Sequence, residues 1–334
     1  MNQQRVTGQP ATDRAAEGAS TQLTEKGRLK HFLQIAGLPR ELLLEILDTA
    51  KTMFEPTSST ARSLPLMRGM TVMNIFFENS TRTRTNFELA AKQLAANVIN
   101  LDIQTSSESK GESLADTIRT LEAMGPRLLV VRHNQSGASR QIAGLVGSGC
   151  GVLNAGDGSF EHPTQAMLDM YTIRERMGGF AGLKVAIIGD IIHSRVARSQ
   201  IHALQTLGVT DIRLITPPSL IPGLTETFNL PVFTDCNAGL EGRNIVSLLR
   251  IQRERITAGL APEPNAYFRD YGITSARLEC ADKEAIVLHP GPINRGVEIA
   301  DEVADGPQAV ILKQVSNGVA VRMAVMSMIV GGQR

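Results

Sequence analysis

The sequence predicts an α/β protein built as two doubly wound parallel-sheet domains with an interdomain active site. Three observations predict it. The chain has 334 residues, more than one ordinary core of about 150 residues accommodates. Strand-length apolar runs alternate with helix-length amphipathic runs in two series, separated by the loop Met177-Gly178-Gly179-Phe180-Ala181-Gly182. Basic and polar residues stand where the strands end, which is where open parallel sheets bind ligands.

Taken in order, residues 1 to about 28 are rich in Gln, Thr, Gly, Ala and charge and read as a flexible N-terminal arm. Leu38-Pro39-Arg40-Glu41 opens a helix whose apolar face carries Leu42, Leu43, Leu44, Ile46 and Leu47. Strands are predicted over 71–77, 97–102, 128–132 and 151–154, with helices over 81–95, 113–124, 138–146 and 163–177. The second series has strands over 184–189, 211–215, 244–249 and 285–289, and a helix over 195–207. Its first strand ends Gly189-Asp190 without the full G-x-G-x-x-G pattern, so a dinucleotide site has little support. A last helix, about 317–330, is apolar on several sides and would pack back on the first domain. The domains are therefore 29–170, completed by a C-terminal helix within 314–332, and 171–313.

Composition narrows the function. Lys plus Arg number 34 against 33 Asp plus Glu, a net charge of +1, which argues against broad nucleic-acid or anionic-membrane binding. Any positive site must be local. Cys150, Cys236 and Cys280 lie far apart and form no C-x-x-C pair, so neither a disulfide framework nor a structural zinc site is expected. No apolar run approaches the roughly 18 residues of a membrane span, and no secretory signal opens the chain. A cytoplasmic protein is expected.

The most informative run is Phe76 to Glu88, where a buried strand feeds a helix through Ser80, Thr81, Arg82, Thr83 and Arg84. Such a junction aims backbone N–H groups and the positive end of the helix dipole at one point, a natural anion site. The planar fork of Arg82 can clamp two phosphate oxygens. Further strand ends carry Arg132-His133, His162-Pro163-Thr164-Gln165, Arg195, Arg250-Ile251-Gln252 and His289-Pro290-Gly291-Pro292. Taken singly, each has a plain explanation: the arginines as surface charges, Ser80, Thr81 and His162 as helix caps, Pro290-Gly291-Pro292 as a turn. Lys110 would ordinarily be a solvated loop charge. The joint pattern favours one site.

Ser80-Thr81-Arg82-Thr83-Arg84 resembles the carbamoyl-phosphate signature of the aspartate/ornithine carbamoyltransferase family, and the resemblance runs from about residue 30 to the C-terminus. Asn154-Ala155-Gly156-Asp157-Gly158 followed by His162-Pro163-Thr164-Gln165 is similar to the same family. Lys110 in Ser106-Ser107-Glu108-Ser109-Lys110-Gly111-Glu112, and Arg250-Ile251-Gln252, favour the aspartate branch. The ornithine branch would show His-Cys-Leu-Pro near the C-terminus, where this chain has His289-Pro290-Gly291-Pro292.

The resemblance implies a carbamoyl-phosphate domain and an aspartate domain. It also implies transfer of a carbamoyl group from carbamoyl phosphate to L-aspartate, the committed step of pyrimidine synthesis, with no cofactor and no metal. By resemblance, Ser80, Thr81, Arg82 and Thr83 hold the phosphate, with Ser106 and Lys110 reaching in from a neighbouring chain of a homotrimer. Thr83, Arg132 and His162 surround the carbamoyl oxygen. Gln165, Pro290 and Gly291 hold the carbamoyl amine, and Lys110, Arg195, Arg250 and Gln252 hold L-aspartate. Glu78 would close the domains against Arg195 and Arg255. Gly291 departs from the Leu that some members carry, at small expected cost. The arm suggests a dihydroorotase-like partner chain in a larger assembly. Transfer to another amino acid such as ornithine, or a scaffold without catalysis, are the rival readings.

Overall fold

The computed structural model describes residues 21–58, 64–102, 113–252, 255–256 and 262–333. Among them are nine strands, all parallel, in two sheets. The first holds β1 (Thr71–Phe76), β2 (Asn97–Asp102), β3 (Leu128–His133) and β4 (Gly151–Asp157) in the order β2-β1-β3-β4. The second holds β5 (Lys184–Ile188), β6 (Asp211–Ile215), β7 (Val232–Phe233), β8 (Ile245–Leu248) and β9 (Ile286–Leu288) in the order β7-β6-β5-β8-β9. The chain reverses direction of winding at β1 in one sheet and at β5 in the other, so each sheet opens a crevice at the carboxyl ends of its central strands.

The helices are α1 (Arg40–Ser58), α2 (Thr81–Gln93), α3 (Leu114–Ala123), α4 (Ala138–Ala143), α5 (Pro163–Met177) and α6 (Arg195–Thr206). They continue as α7 (Leu224–Phe228), α8 (Cys236–Leu240), α9 (Pro264–Tyr271), α10 (Ser275–Leu278), α11 (Asp301–Ala304) and α12 (Ile311–Gly332). The strands lie within one or two residues of the predicted runs, β4 running three residues further. The buried runs of β1, β3 and β4 are near-continuously apolar because helices cover both faces. Strand β7 escaped the sequence reading: two residues offer no alternation to detect.

The end of the predicted arm is ordered. Gln22 is buried and its Oε1 accepts from the backbone N–H groups of Leu33 and Gln34 at 2.6 and 3.0 Å. Phe32 then bridges Leu153 and covers the free edge of β4. A backbone that must shield a sheet edge is held even where its own sequence is polar. Residues 1–20 lie outside the described residues.

Helix α12 begins at Ile311, earlier than predicted, because exposed Leu312 and Val315 hide the apolar period in its first turn. Contrary to the expectation that no apolar segment approaches a membrane span, it has the length and apolarity of one. Its faces are nonetheless buried against α1, α2 and α5. It also carries buried Gln314, Asn317 and Arg322, with Asn317 Nδ2 donating to Thr172 Oγ1 at 3.0 Å and Glu175 Oε2 at 2.8 Å. Bonded polar groups on an apolar helix mark a core element here. Truncating a buried side chain such as Met326 would cost about 2–5 kcal/mol.

Candidate active site

A cavity of about 650 Å³ opens between the carboxyl ends of the two sheets. Among the described residues it is lined by six arginines (Arg82, Arg132, Arg195, Arg250, Arg255 and Arg322) and a single carboxylate, Glu78. A chain of nearly balanced charge has thus concentrated cations in one crevice, where low-dielectric walls focus their field.

Helix α2 supplies the floor on one side. Ser80 occupies its N-cap position, yet the Ser80 hydroxyl makes no capping bond. His162 stands in the same way before α5, with Pro163 at the first helical position and no side-chain cap. By contrast, Ser194 does cap α6, its Oγ accepting from the Ala197 N–H at 3.2 Å. The plain reading of Ser80 and His162 as caps therefore fails, and two helix N-termini face the cavity without side-chain caps. Thr81, Arg82 and Thr83 lie along the first turn of α2 and line the cavity. Arg84 does not; its guanidinium stacks on Phe76 at 5.2 Å.

Arg132, at the end of β3, is the central cation. Its Nη1 donates to Ala155 O at 3.2 Å and to Thr83 Oγ1 at 3.4 Å, while Nε lies 2.8 Å from Glu78 Oε1. Burial lowers its affinity for a proton, Arg195 adds to the effect and Glu78 opposes it, leaving the pKa at about 10. Arg195 reaches across from α6, with Nη2 donating to Glu78 Oε1 at 2.6 Å and Nη1 to Gly158 O at 3.2 Å. Burial alone would raise the Glu78 carboxyl, but Arg195 and Arg132 outweigh it and hold it below the usual range. Gly156 makes this convergence feasible: at φ +116° a Cβ would sit 3.0 Å from Arg195 Cζ and 3.4 Å from Arg132 Nη1.

His162 is buried, and its backbone N–H donates to Ser199 Oγ of α6 at 2.8 Å. Burial, then Arg132, Arg195 and Arg322, push its pKa well below the ordinary imidazole value. Burial is the largest of these causes. The ring is neutral at physiological pH, and its Nδ1 has no partner among the described residues. Gln165, one turn on, donates to Asp169 Oδ1 at 2.9 Å.

The opposite wall comes from the second sheet. Arg250 Nη2 lies 3.5 Å from Gln252 Oε1, and the Gln252 N–H donates to Asp190 Oδ2 at 3.1 Å. Arg255 Nη1 donates to His193 O at 2.9 Å. After β9, Gly291 N–H donates to His289 Nδ1 at 2.8 Å, leaving Nε2 to donate to Glu298 Oε1 at 3.0 Å. That pairing shapes the loop presenting Pro290 and Gly291. Gly291 has φ +68°, and a Cβ there would lie 3.3 Å from Arg82 Nη1. A side chain here would strain the left-handed backbone and crowd Arg82, so glycine suits this loop.

The structure thus brings Glu78, Ser80, Thr81, Arg82, Thr83, Arg132, His162, Gln165, Arg195, Arg250, Gln252, Arg255, Pro290 and Gly291 to one cavity. Ser106 and Lys110 lie outside the described residues. Asn86, Gln314 and Arg322 also line the cavity and were not foreseen. Arg322 left one sign, an arginine within an otherwise apolar stretch of helix.

Two family models match the chain. The aspartate/ornithine carbamoyltransferase carbamoyl-P binding domain matches residues 30–175, and the Asp/Orn binding domain of the same family matches residues 181–329. Among solved structures, the catalytic subunit of M. jannaschii aspartate transcarbamoylase is 34% identical, with 91% of this chain and 98% of that chain covered at a TM-score of 0.77. Aspartate transcarbamoylase from Trypanosoma cruzi in complex with carbamoyl aspartate and phosphate is 28% identical, covering 92% and 98%, at a TM-score of 0.79. The same enzyme with N-(phosphonacetyl)-L-aspartic acid is 27% identical over the same shares, at a TM-score of 0.77. With its parallel sheets, its interdomain cavity and both halves matched, the chain belongs to the aspartate/ornithine carbamoyltransferase family.

Proposed function

We propose that this chain is an aspartate carbamoyltransferase, moving the carbamoyl group of carbamoyl phosphate to the amine of L-aspartate to give N-carbamoyl-L-aspartate and phosphate. The observation that carries the reading is the cavity's charge: among the described residues six arginines face it, and the one carboxylate there is already neutralised by two of them. That environment suits two anionic substrates together. It is poor for ornithine, whose second ammonium would find no free acid among the described residues. The same dicarboxylate acceptor is bound by the Trypanosoma cruzi relative in its complex with carbamoyl phosphate and aspartate.

Ser80, Thr81, Arg82 and Thr83, with the open end of α2, hold the phosphate of the donor. Thr83, Arg132 and neutral His162 surround the carbamoyl oxygen and stabilise the charge that grows on it as the amine attacks. Gln165 and the backbone at Pro290 and Gly291 orient the carbamoyl amine. Arg195, Arg250 and Gln252 grip the aspartate carboxylates and set the angle of attack. The C–O bond to phosphate then breaks, and the departing phosphate takes the proton that the amine loses.

Lys110 and Ser106 belong to this site from a neighbouring chain of a homotrimer; β2, the strand leading into them, is an edge strand with half-exposed Ile99. The enzyme acts in the cytoplasm at the committed step of pyrimidine synthesis, and a dihydroorotase-like chain is its candidate assembly partner. Turnover assays with L-aspartate and L-ornithine, and a calorimetric titration with N-(phosphonacetyl)-L-aspartic acid, test the activity. Tight analogue binding and aspartate-dependent phosphate release are expected. Ornithine turnover exceeding aspartate turnover would overturn the substrate assignment, and no turnover with either would overturn catalysis.

A further inference from the structure

Arg322 sits three turns into α12, buried, and lines the cavity. Its Nη1 donates to Asn86 Oδ1, and its Cζ lies 4.8 Å over the Phe87 ring. Asn86 in turn donates through Nδ2 to Val315 O at 3.2 Å. One side chain on the second turn of the phosphate-binding helix α2 is thus fastened to α12 at two points. Gly318 leaves the room for this fastening: a Cβ there would come 2.5 Å from Arg322 Nη1 and 3.4 Å from Asn86 Oδ1.

The other face of the same region is equally connected. Gln314 of α12 donates from Nε2 to Asp169 Oδ1 at 2.7 Å, alongside Gln165 from α5 and Gln200 from α6 at 3.1 Å to Oδ2. Gln314 Oε1 accepts from the His289 N–H at 2.9 Å. Asp169 favours the Arg322 cation against burial, and Arg322 in turn acts on buried His162. Helix α12 therefore sets the separation of the two helix ends, α2 and α5, that face the donor.

We propose that Arg322 is a positioning residue for the donor: acting through Asn86, it fixes the first turns of α2 against α5 and so sets carbamoyl-phosphate affinity. The proposal rests on the carbamoyl-transfer reading. A charge-assisted hydrogen bond of this kind is worth about tenfold or more in an equilibrium constant. Arg322 is buried and its replacement could unfold the chain, so two gentler changes carry the test. Gly318→Ala keeps the arginine but drives a methyl between its guanidinium and Asn86, and Asn86→Ala removes the acceptor.

Full-length wild type, Gly318→Ala, Asn86→Ala, Arg322→Lys and Arg322→Met are compared by thermal melting, steady-state kinetics with each substrate varied, and calorimetry with inorganic phosphate. In the folded variants the KM for carbamoyl phosphate and the phosphate Kd should rise about tenfold, with the KM for aspartate within about twofold. Combining Gly318→Ala with Asn86→Ala should add little to either alone, because both break one connection. Lower melting temperatures with unchanged KM and Kd would reduce Arg322 to a structural role and overturn the proposal, as would equal losses for both substrates. A wild type that binds phosphate but turns over neither amino acid would instead overturn the reaction assigned above.

Discussion

Replacing Glu78 by alanine tests whether that carboxylate latches the two sheets together for aspartate. Glu78 Oε1 is shared by Arg195 Nη2 at 2.6 Å and Arg132 Nε at 2.8 Å. At an effective dielectric of about 20, each contact carries on the order of 6 kcal/mol of gross attraction. Desolvation offsets most of it, and the carboxylate side chain remains 22% exposed. The net loss on removing the acid is then about 2–3 kcal/mol, the range for a hydrogen bond to a charged group. The two arginines do not share it equally. Arg132 is still held by Ala155 O and Thr83 Oγ1, whereas Arg195 retains Gly158 O. The loss therefore falls on Arg195 and on aspartate: its KM should rise about 30- to 150-fold, with a lower kcat. Phosphate binding should stay within about threefold of wild type. Steady-state kinetics at saturating carbamoyl phosphate, with phosphate calorimetry on the same preparation, measure both. A natively folded variant whose aspartate KM and kcat stay within twofold of wild type refutes the latch, and so does the reverse split, with phosphate binding lost and aspartate kinetics kept.

Three further outcomes follow from the site. His162→Asn should lower the rate while keeping the shape of the pH–rate profile, because the native ring titrates well below neutrality; disappearance of one ionisation near pH 7 would make His162 the base. Inactive Lys110→Ala and inactive Arg82→Ala trimers should recover some activity after subunit exchange, and no recovery despite exchange shown by mass spectrometry would refute shared sites. Burial pushes the Glu161 carboxyl up to about 8, against opposition from Ser199. Its contribution to stability is complete below the ordinary value of 4.5 and is lost as pH rises through about 8. Glu161→Gln should therefore gain stability over wild type at pH 9 compared with pH 5, read from urea unfolding; an equal difference at the two pH values contradicts this.

The sheets were legible because buried parallel strands are continuous apolar runs with turn residues at their ends, as in Leu128–His133 and Ile245–Leu248. The cavity was legible because its residues stand at those strand ends, where sequence position translates directly into place. What stayed hidden lies within helices. Asp169, Gln314 and Arg322 occupy positions that look like lapses in an apolar face, and only packing shows that they meet each other. The left-handed φ of Gly291 and the nearness of Arg82 also belong to the folded loop, not to the Pro-Gly-Pro string. The order at Gln22 likewise depends on the uncovered edge of β4, more than 100 residues along the chain.

Helix α12 also has a consequence for how the molecule is made. The strands β1–β4 and helix α2 leave the ribosome well before the segment 311–332 that packs on α1, α2 and α5. Until it arrives, a nascent chain exposes the apolar side of those helices and lacks the fastening at Asn86. Such surfaces are what chaperones hold and what aggregates recruit. The wall that α2 lends to the cavity is encoded early in translation and completed late.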